Sequence, residues 1–138
     1  DVYGRGHMMK WYLCPYLAVN AWLVLYTWLH HTHEEVPHLG DESFSWLRGA
    51  LSTIDRPYPR VIDHVHLGTG STHVLHHLSP KIPHYHAKAA TEILRDGLGP
   101  LYRYDDRSIV STVWSTFKTC HYVDKLTGLQ FYRAYKGS

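Results

Sequence analysis

The 138 residues carry 14 Lys and Arg against 12 Asp and Glu, a net charge of +2 with histidine neutral, and the basic residues are scattered. No nucleic-acid footprint and no anionic-surface patch is singled out, and Cys14 and Cys120, far apart and in no CxxC pair, argue against a disulfide framework and for a reducing environment. The anomaly is histidine, present 13 times and dispersed through the chain; imidazole suits Fe, Zn, Cu and Ni, so composition alone points to a metal.

In chain order, the sequence opens at Asp1 without Met and enters an apolar run almost at once, which reads as the downstream portion of a longer protein. Residues 11–29, WYLCPYLAVNAWLVLYTWL, carry no charge and hold aromatics at both ends. A stretch of about 20 apolar residues spans a bilayer, and Trp and Tyr favour its interfaces, so a transmembrane helix is expected here. The alternative is a buried helix of a soluble protein, because Pro15 and Asn20 interrupt the run. No compact apolar region is followed by a small-residue cleavage site, so the segment is not a signal peptide.

Beyond it, Pro37, Gly40 and Asp41 mark a loop, and Asp41 is placed to cap a short helix holding Phe44, Trp46, Leu47 and Leu51. Arg56-Pro57-Tyr58-Pro59 ends that helix. A second short helix is predicted over 61–66, broken by Gly68-Thr69-Gly70, and Ser71 or Thr72 can cap the next. Pro80 and Pro83 close it. Residues 87–98 read as a helix with Ala90, Ile93, Leu94 and Leu98 on one side, and 108–121 repeats the pattern with Ile109, Val110, Val113, Trp114, Phe117 and Cys120; both are read as packing faces. Residues 129–133 are either a short strand or an extended tail. The whole reads as an all-α fold.

The chemistry lies in the histidines. Ser71-Thr72-His73-Val74-Leu75-His76-His77-Leu78 holds an HxxHH box. On a helix, positions i, i+3 and i+4 share a face, so the spacing predicts that His73, His76 and His77 aim at a common metal. His30-His31-Thr32-His33 follows the apolar run directly, and a ligand at the end of a rigid helix is well held; His31 is the next candidate. His33, His84 and His86 are candidates for ligands or for hydrogen bonding to ligands, whereas His7, His38, His64, His66 and His121 are expected to be neither. No HExxH, GxSxG, Walker loop or GxGxxG occurs, so zinc hydrolase and nucleotide chemistry have no support.

Taken together, WLVLYTWLHHTHEEVPHL, then WLRGALSTIDRPYP, then GSTHVLHH and IPHYHA resemble the C-terminal third of the membrane fatty acid desaturases, nearest the delta-12 (oleate) and omega-3 group. The resemblance implies the C-terminal part of a four-span integral membrane enzyme of the endoplasmic reticulum: a last transmembrane helix with its lead-in over 1–30, then a cytosolic helical cap over 31–138. It implies three histidine boxes holding two irons on the cytosolic side, O2 as co-substrate, a fatty acyl lipid as substrate, and cytochrome b5 with its reductase as electron donors. His73, His76 and His77 match the third box. The family's first two boxes do not occur in this sequence, so the chain alone is expected to be inactive.

In that family a Gln-His pair follows the last span and its His is a ligand, which carries over to His31, with His30 where Gln is usual. Leu67 stands where the family has a histidine, Ser79 where Phe follows the box, and Glu34 where Pro is frequent. The expected chemistry is removal of two hydrogens from an unactivated methylene to leave a cis double bond, with delta-12 favoured. Omega-3 desaturation, hydroxylation and conjugation use the same scaffold. Trp46, Tyr85 and Trp114 are candidates for core packing first and for lining an acyl tunnel second. The rival of another class is a membrane-anchored protein that buffers Zn or Cu without redox work.

Overall fold

The computed structural model describes residues 4–125 and 127–135. Its backbone is mostly helical. One continuous helix of 27 residues, Arg5–His31, is long and apolar enough to cross a membrane. It comprises α1 (Arg5–Met8), a π-helical turn at Met9–Leu13 and α2 (Cys14–His31). The π turn falls immediately before Pro15, which has no N–H to give the preceding turn, and so the ladder widens there instead of breaking. Polar groups inside the apolar run bond their own helix: Asn20 Nδ2 donates to the Tyr16 carbonyl at 2.7 Å, and the Thr27 hydroxyl to that of Leu23 at 2.8 Å. Neither residue therefore stops the helix.

Five shorter helices follow: α3 (Trp46–Ala50), α4 (Arg60–Val65), α5 (His73–Leu78), α6 (His84–Leu98) and α7 (Ile109–Thr119). The cap of α3 is Ser45, whose Oγ accepts the Arg48 N–H; Asp41 sits instead in a 3₁₀ turn, Asp41–Ser43. The cap of α7 is Ser108, which accepts the Ser111 N–H. The C-terminal stretch does form a strand. β2 (Leu129–Gln130) pairs antiparallel with β1 (His38–Leu39), His38 opposite Gln130, so among the described residues the fold is mostly helical with one two-stranded ribbon added to the all-α expectation.

The core sits where the C-terminal end of α2 meets the segment 52–58 and α5. Leu29, His30, Thr53, Ile54, Asp55, Arg56, Tyr58 and Val74 are all buried there. The packing faces expected of α6 and α7 are met in part: Ala90, Leu94 and Leu98, and Ile109, Val113 and Cys120, lie half-buried, but the other members of each face point outward. Ala87 and Thr91 are the buried residues of α6, and Thr112 and Thr116 those of α7, while Ile93 is 75% exposed, Val110 80%, Trp114 60% and Phe117 63%. Trp46 and Tyr85 are exposed as well, so none of the three aromatics proposed for the core packs into it.

Candidate metal centre

The metal-ligand candidates converge at the junction of α2 and α5. His31, in the last turn of α2, and His73 and His77, one turn apart on α5, present ring nitrogens that all lie within 4.8 Å of one another. His73 Nε2 is 3.2 Å from His31 Nε2 and 3.2 Å from His77 Nε2. Two nitrogens each about 2.1 Å from one ion stand about 3.0–3.4 Å apart at octahedral to tetrahedral angles, so this spacing fits a shared transition metal. His73 Nδ1 is buried with no hydrogen-bond partner among the described residues.

The environment pushes both imidazoles on α5 toward the neutral form, which is the metal-binding form of imidazole. Burial pushes the His73 ring far below the ordinary histidine range, and the charges that His30, His77 and His31 would carry push it further. Burial acts on His77 in the same direction, joined by His31 and His76.

The backbone of 52–54 orients the end of α2. His31 Nδ1 faces the Ser52 carbonyl at 3.4 Å, a donor role that leaves the Nε2 lone pair free for the cluster. His30 is fully buried beside it: Nδ1 lies 2.5 Å from the Ile54 carbonyl, Nε2 3.2 Å from the Tyr58 hydroxyl, and its ring centroid 4.5 Å from that of His73. His66 reaches the same aromatic layer, its Nδ1 2.8 Å from the Tyr26 hydroxyl.

The remaining candidates do not join the cluster. His76, in the same box, is exposed and lines a neighbouring cleft of about 330 Å³ together with His73, Leu67, Thr72, Ile82 and His84. On a six-residue helix the i, i+3 and i+4 positions fan over a wide arc, and here one of the three imidazoles turns out of the shared point. His86 is exposed against Tyr85. His33 is buried, but its ring is engaged elsewhere: Nδ1 accepts the Glu35 N–H at 3.1 Å, and Nε2 lies 3.4 Å from Asp105 Oδ2 and 2.6 Å from Arg107 Nη2. A second cleft of about 330 Å³ opens on the far side of the cluster, lined by His31, His77, Val36, Pro37, Phe44 and Ser52.

Several residues that build the site were not singled out as site residues in the sequence, although Asp55 and Arg56 lie in the stretch WLRGALSTIDRPYP that carries the family likeness. Asp55 is fully buried; Oδ1 accepts the Val74 N–H at 2.7 Å and Oδ2 the Tyr102 O–H at 2.5 Å. Arg56, also buried, donates Nε–H to the Leu29 carbonyl at 2.8 Å and Nη1–H to Asp105 and Thr112. A second cue was an adjacent pair of opposite charges wedged between Ile54 and Pro57.

Fold and site together define a mostly helical protein with an imidazole cluster, suited to a transition metal, at the end of a long apolar helix. The chain belongs to the fatty acid desaturase family, whose model matches residues 2–108. It is 43% identical over 124 residues to the delta(12) fatty acid desaturase of Mortierella alpina, a match covering 90% of this chain and 31% of that protein. It is 44% identical over 121 residues to the delta(12)-oleate desaturase of Trichosanthes kirilowii, covering 88% and 32%. To the oleoyl-12-hydroxylase of Ricinus communis it is 40% identical over 121 residues, covering 88% and 31%. The chain spans about a third of the length of the curated relatives it matches.

Proposed function

We propose that this chain forms the third-histidine-box portion of a membrane acyl-lipid desaturase that converts an oleoyl to a linoleoyl lipid by delta-12 desaturation. The observation that carries the reading is the meeting of His31, His73 and His77 at the end of the apolar helix, inside the region that matches the family. The donor set is all imidazole, which suits iron. Two iron ions, when bound, would supply the O2 activation needed to take hydrogen from an unactivated methylene, which no side chain can do.

In this reading His31, His73 and His77 hold one ion. His76, which lines the adjoining cleft with His84 on its wall, serves the other. Three or four imidazoles cannot fill the coordination of two irons, so the boxes that complete the site come from outside this sequence. The chain's own residues bind and orient: Ser52 and Ile54 aim the histidines at the end of α2, and the Nδ1 edge of the His73 ring is buried. α1 and α2 form the last of four spans in the endoplasmic-reticulum membrane, and 31–138 lies on the cytosolic side. Cytochrome b5 and its reductase deliver electrons there. An acyl chain reaches such a site without leaving apolar surroundings.

The name of the Ricinus communis relative supports a second outcome, acyl hydroxylation, on the same residues. Expression of the full-length enzyme in yeast, followed by fatty-acid analysis, tests both. Linoleate should accumulate with the native sequence and vanish with His73→Ala or His77→Ala. A hydroxylated product would replace the first reading by the second, and no new acyl product would remove both.

A further inference from the structure

We propose that Asp55 is a positioning residue that sets the histidine box against His31, with Tyr102 as its own anchor. The inference rests on the metal-centre reading above and adds the element that holds its geometry.

α5 carries two of the three converging imidazoles on only six residues, too few to hold a helix by backbone bonds alone. Its own capping candidates are spent elsewhere. The Thr72 hydroxyl donates to the Gly68 carbonyl at 2.9 Å, and the Ser71 hydroxyl donates to Asp63 Oδ1 at 2.8 Å. The first turn therefore depends on a carboxylate 19 residues away: Asp55 Oδ1 accepts the N–H of Val74, itself buried, at 2.7 Å. The partner oxygen Oδ2 is taken by the Tyr102 hydroxyl at 2.5 Å, so the carboxylate has no freedom to swing away from the box.

The same short segment grips the other half of the cluster. The Ser52 carbonyl faces His31 Nδ1, Thr53 Oγ1 and the Ile54 N–H donate to the His30 carbonyl at 3.0 and 3.2 Å, and Arg56 Nε–H donates to the Leu29 carbonyl. Around Asp55 its neighbours all bond the end of α2, and the Asp55 carboxylate alone reaches α5. The Asp55 backbone is itself pinned, its N–H donating to the Arg103 carbonyl and its C=O accepting the Asp105 N–H, both at 3.1 Å. A single extended stretch thus fixes His31 from one side and His73 with His77 from the other. Asp55 is the link that makes their separation one number and not two independent ones.

The test is cobalt loading of the purified full-length enzyme after its native metal has been stripped. Affinity is read by chelator competition, and ligand geometry by the visible d–d bands. Asp55→Ala should lower cobalt affinity about 10–100-fold, the usual effect of removing a residue that holds a ligand in place, and should shift the bands. Asp55→Asn keeps an oxygen for the Val74 N–H and should restore most of that affinity. Tyr102→Phe removes only the anchor and should shift the bands in the same direction by less. A role in stability alone would lower the melting temperature and leave both cobalt readouts at the wild-type values; that result in Asp55→Ala and Tyr102→Phe overturns the proposal. Should Asp55→Ala fail to fold, Tyr102→Phe decides. A wild-type enzyme that takes up no cobalt would overturn the metal-centre reading and this inference with it, whereas normal loading with unaffected variants overturns the positioning role alone.

Discussion

At the scale of single residues, the strongest electrostatic arrangement lies beside the imidazole cluster. Asp105 receives Arg56 and is forked by Arg107, whose Nε donates to both carboxylate oxygens at 2.9 and 3.1 Å. Burial by itself would raise the Asp105 carboxyl, but the hydrogen bonds from Arg107 and Arg56 outweigh it and hold the group well below the usual carboxylate range. A carboxyl depressed in the fold stabilises fully above its ordinary value of 3.8 and loses that contribution as the pH falls below it. Acid unfolding of the full-length enzyme should therefore contain a component, beginning near that value, that Asp105→Asn lacks. The same substitution leaves Arg56 buried without its counter-ion and should cost about 3–5 kcal/mol at neutral pH, read as thermal stability. An unchanged melting temperature would contradict the account.

Gly70 is a residue whose importance comes from space. A Cβ at that position would stand 2.1 Å from Tyr58 Cε2 and 3.0 Å from Tyr26 Cε1, inside the aromatic layer under His30. Gly70→Ala should destabilise the protein by about 1–3 kcal/mol through overpacking. Gly97→Ala, where the added carbon meets nothing within 4 Å, should not share that loss. The two variants compared by thermal unfolding check it. In the sequence Gly70 reads only as part of a helix break, because neighbours distant along the chain leave no mark on a local pattern.

At the scale of elements, α4 ends in a Schellman turn: the Gly68 N–H bonds the Asp63 carbonyl at 2.7 Å and the Leu67 N–H that of His64 at 3.1 Å. The position that such a turn reserves for a left-handed residue, usually Gly, is held by Leu67 at φ 57°. The strain of a side chain there is about 1 kcal/mol. Leu67→Gly should recover a similar amount, seen as a higher melting temperature, and Leu67→Val should lose more.

The helices α6 and α7 show where periodicity misled. Leu94 and Leu98 of α6 and Ile109 and Val113 of α7 do lie on the inner side with Thr91, Thr112 and Thr116, but Ile93, Val110, Trp114 and Phe117, counted on the same faces, point out. Thr112 is drawn inward because its hydroxyl accepts from buried Arg56 at 3.3 Å. The spacing of apolar residues tells which of them share a side of a helix and carries no information about which side the partner occupies.

For the whole molecule, the apolar helix leaves Trp11, Tyr12, Tyr16, Leu17, Val19, Leu23 and Val24 open, and α7 leaves Val110, Trp114 and Phe117; exposed apolar clusters of this kind mark a membrane or interaction surface. Expressed alone, this chain should sediment with membranes or require detergent, and should yield no desaturated lipid. Recovery of the bulk of it as a soluble monomer would count against the membrane reading.

The sequence by itself determined the elements whose cause is local: the long apolar helix, the proline-bounded box helix, the Ser108-led α7 and the histidine pattern that carries the family likeness. Those follow from backbone propensity, side-chain hydropathy and short-range spacing, which neighbouring residues settle among themselves. Only the tertiary structure decided which imidazoles meet. His31 joins His73 and His77 from 42 and 46 residues away in sequence, His76 turns to another cleft, and His33 is claimed by Asp105 and Arg107. That choice is made by Ser52, Ile54 and Asp55, whose hydrogen bonds link segments that no window of sequence holds together.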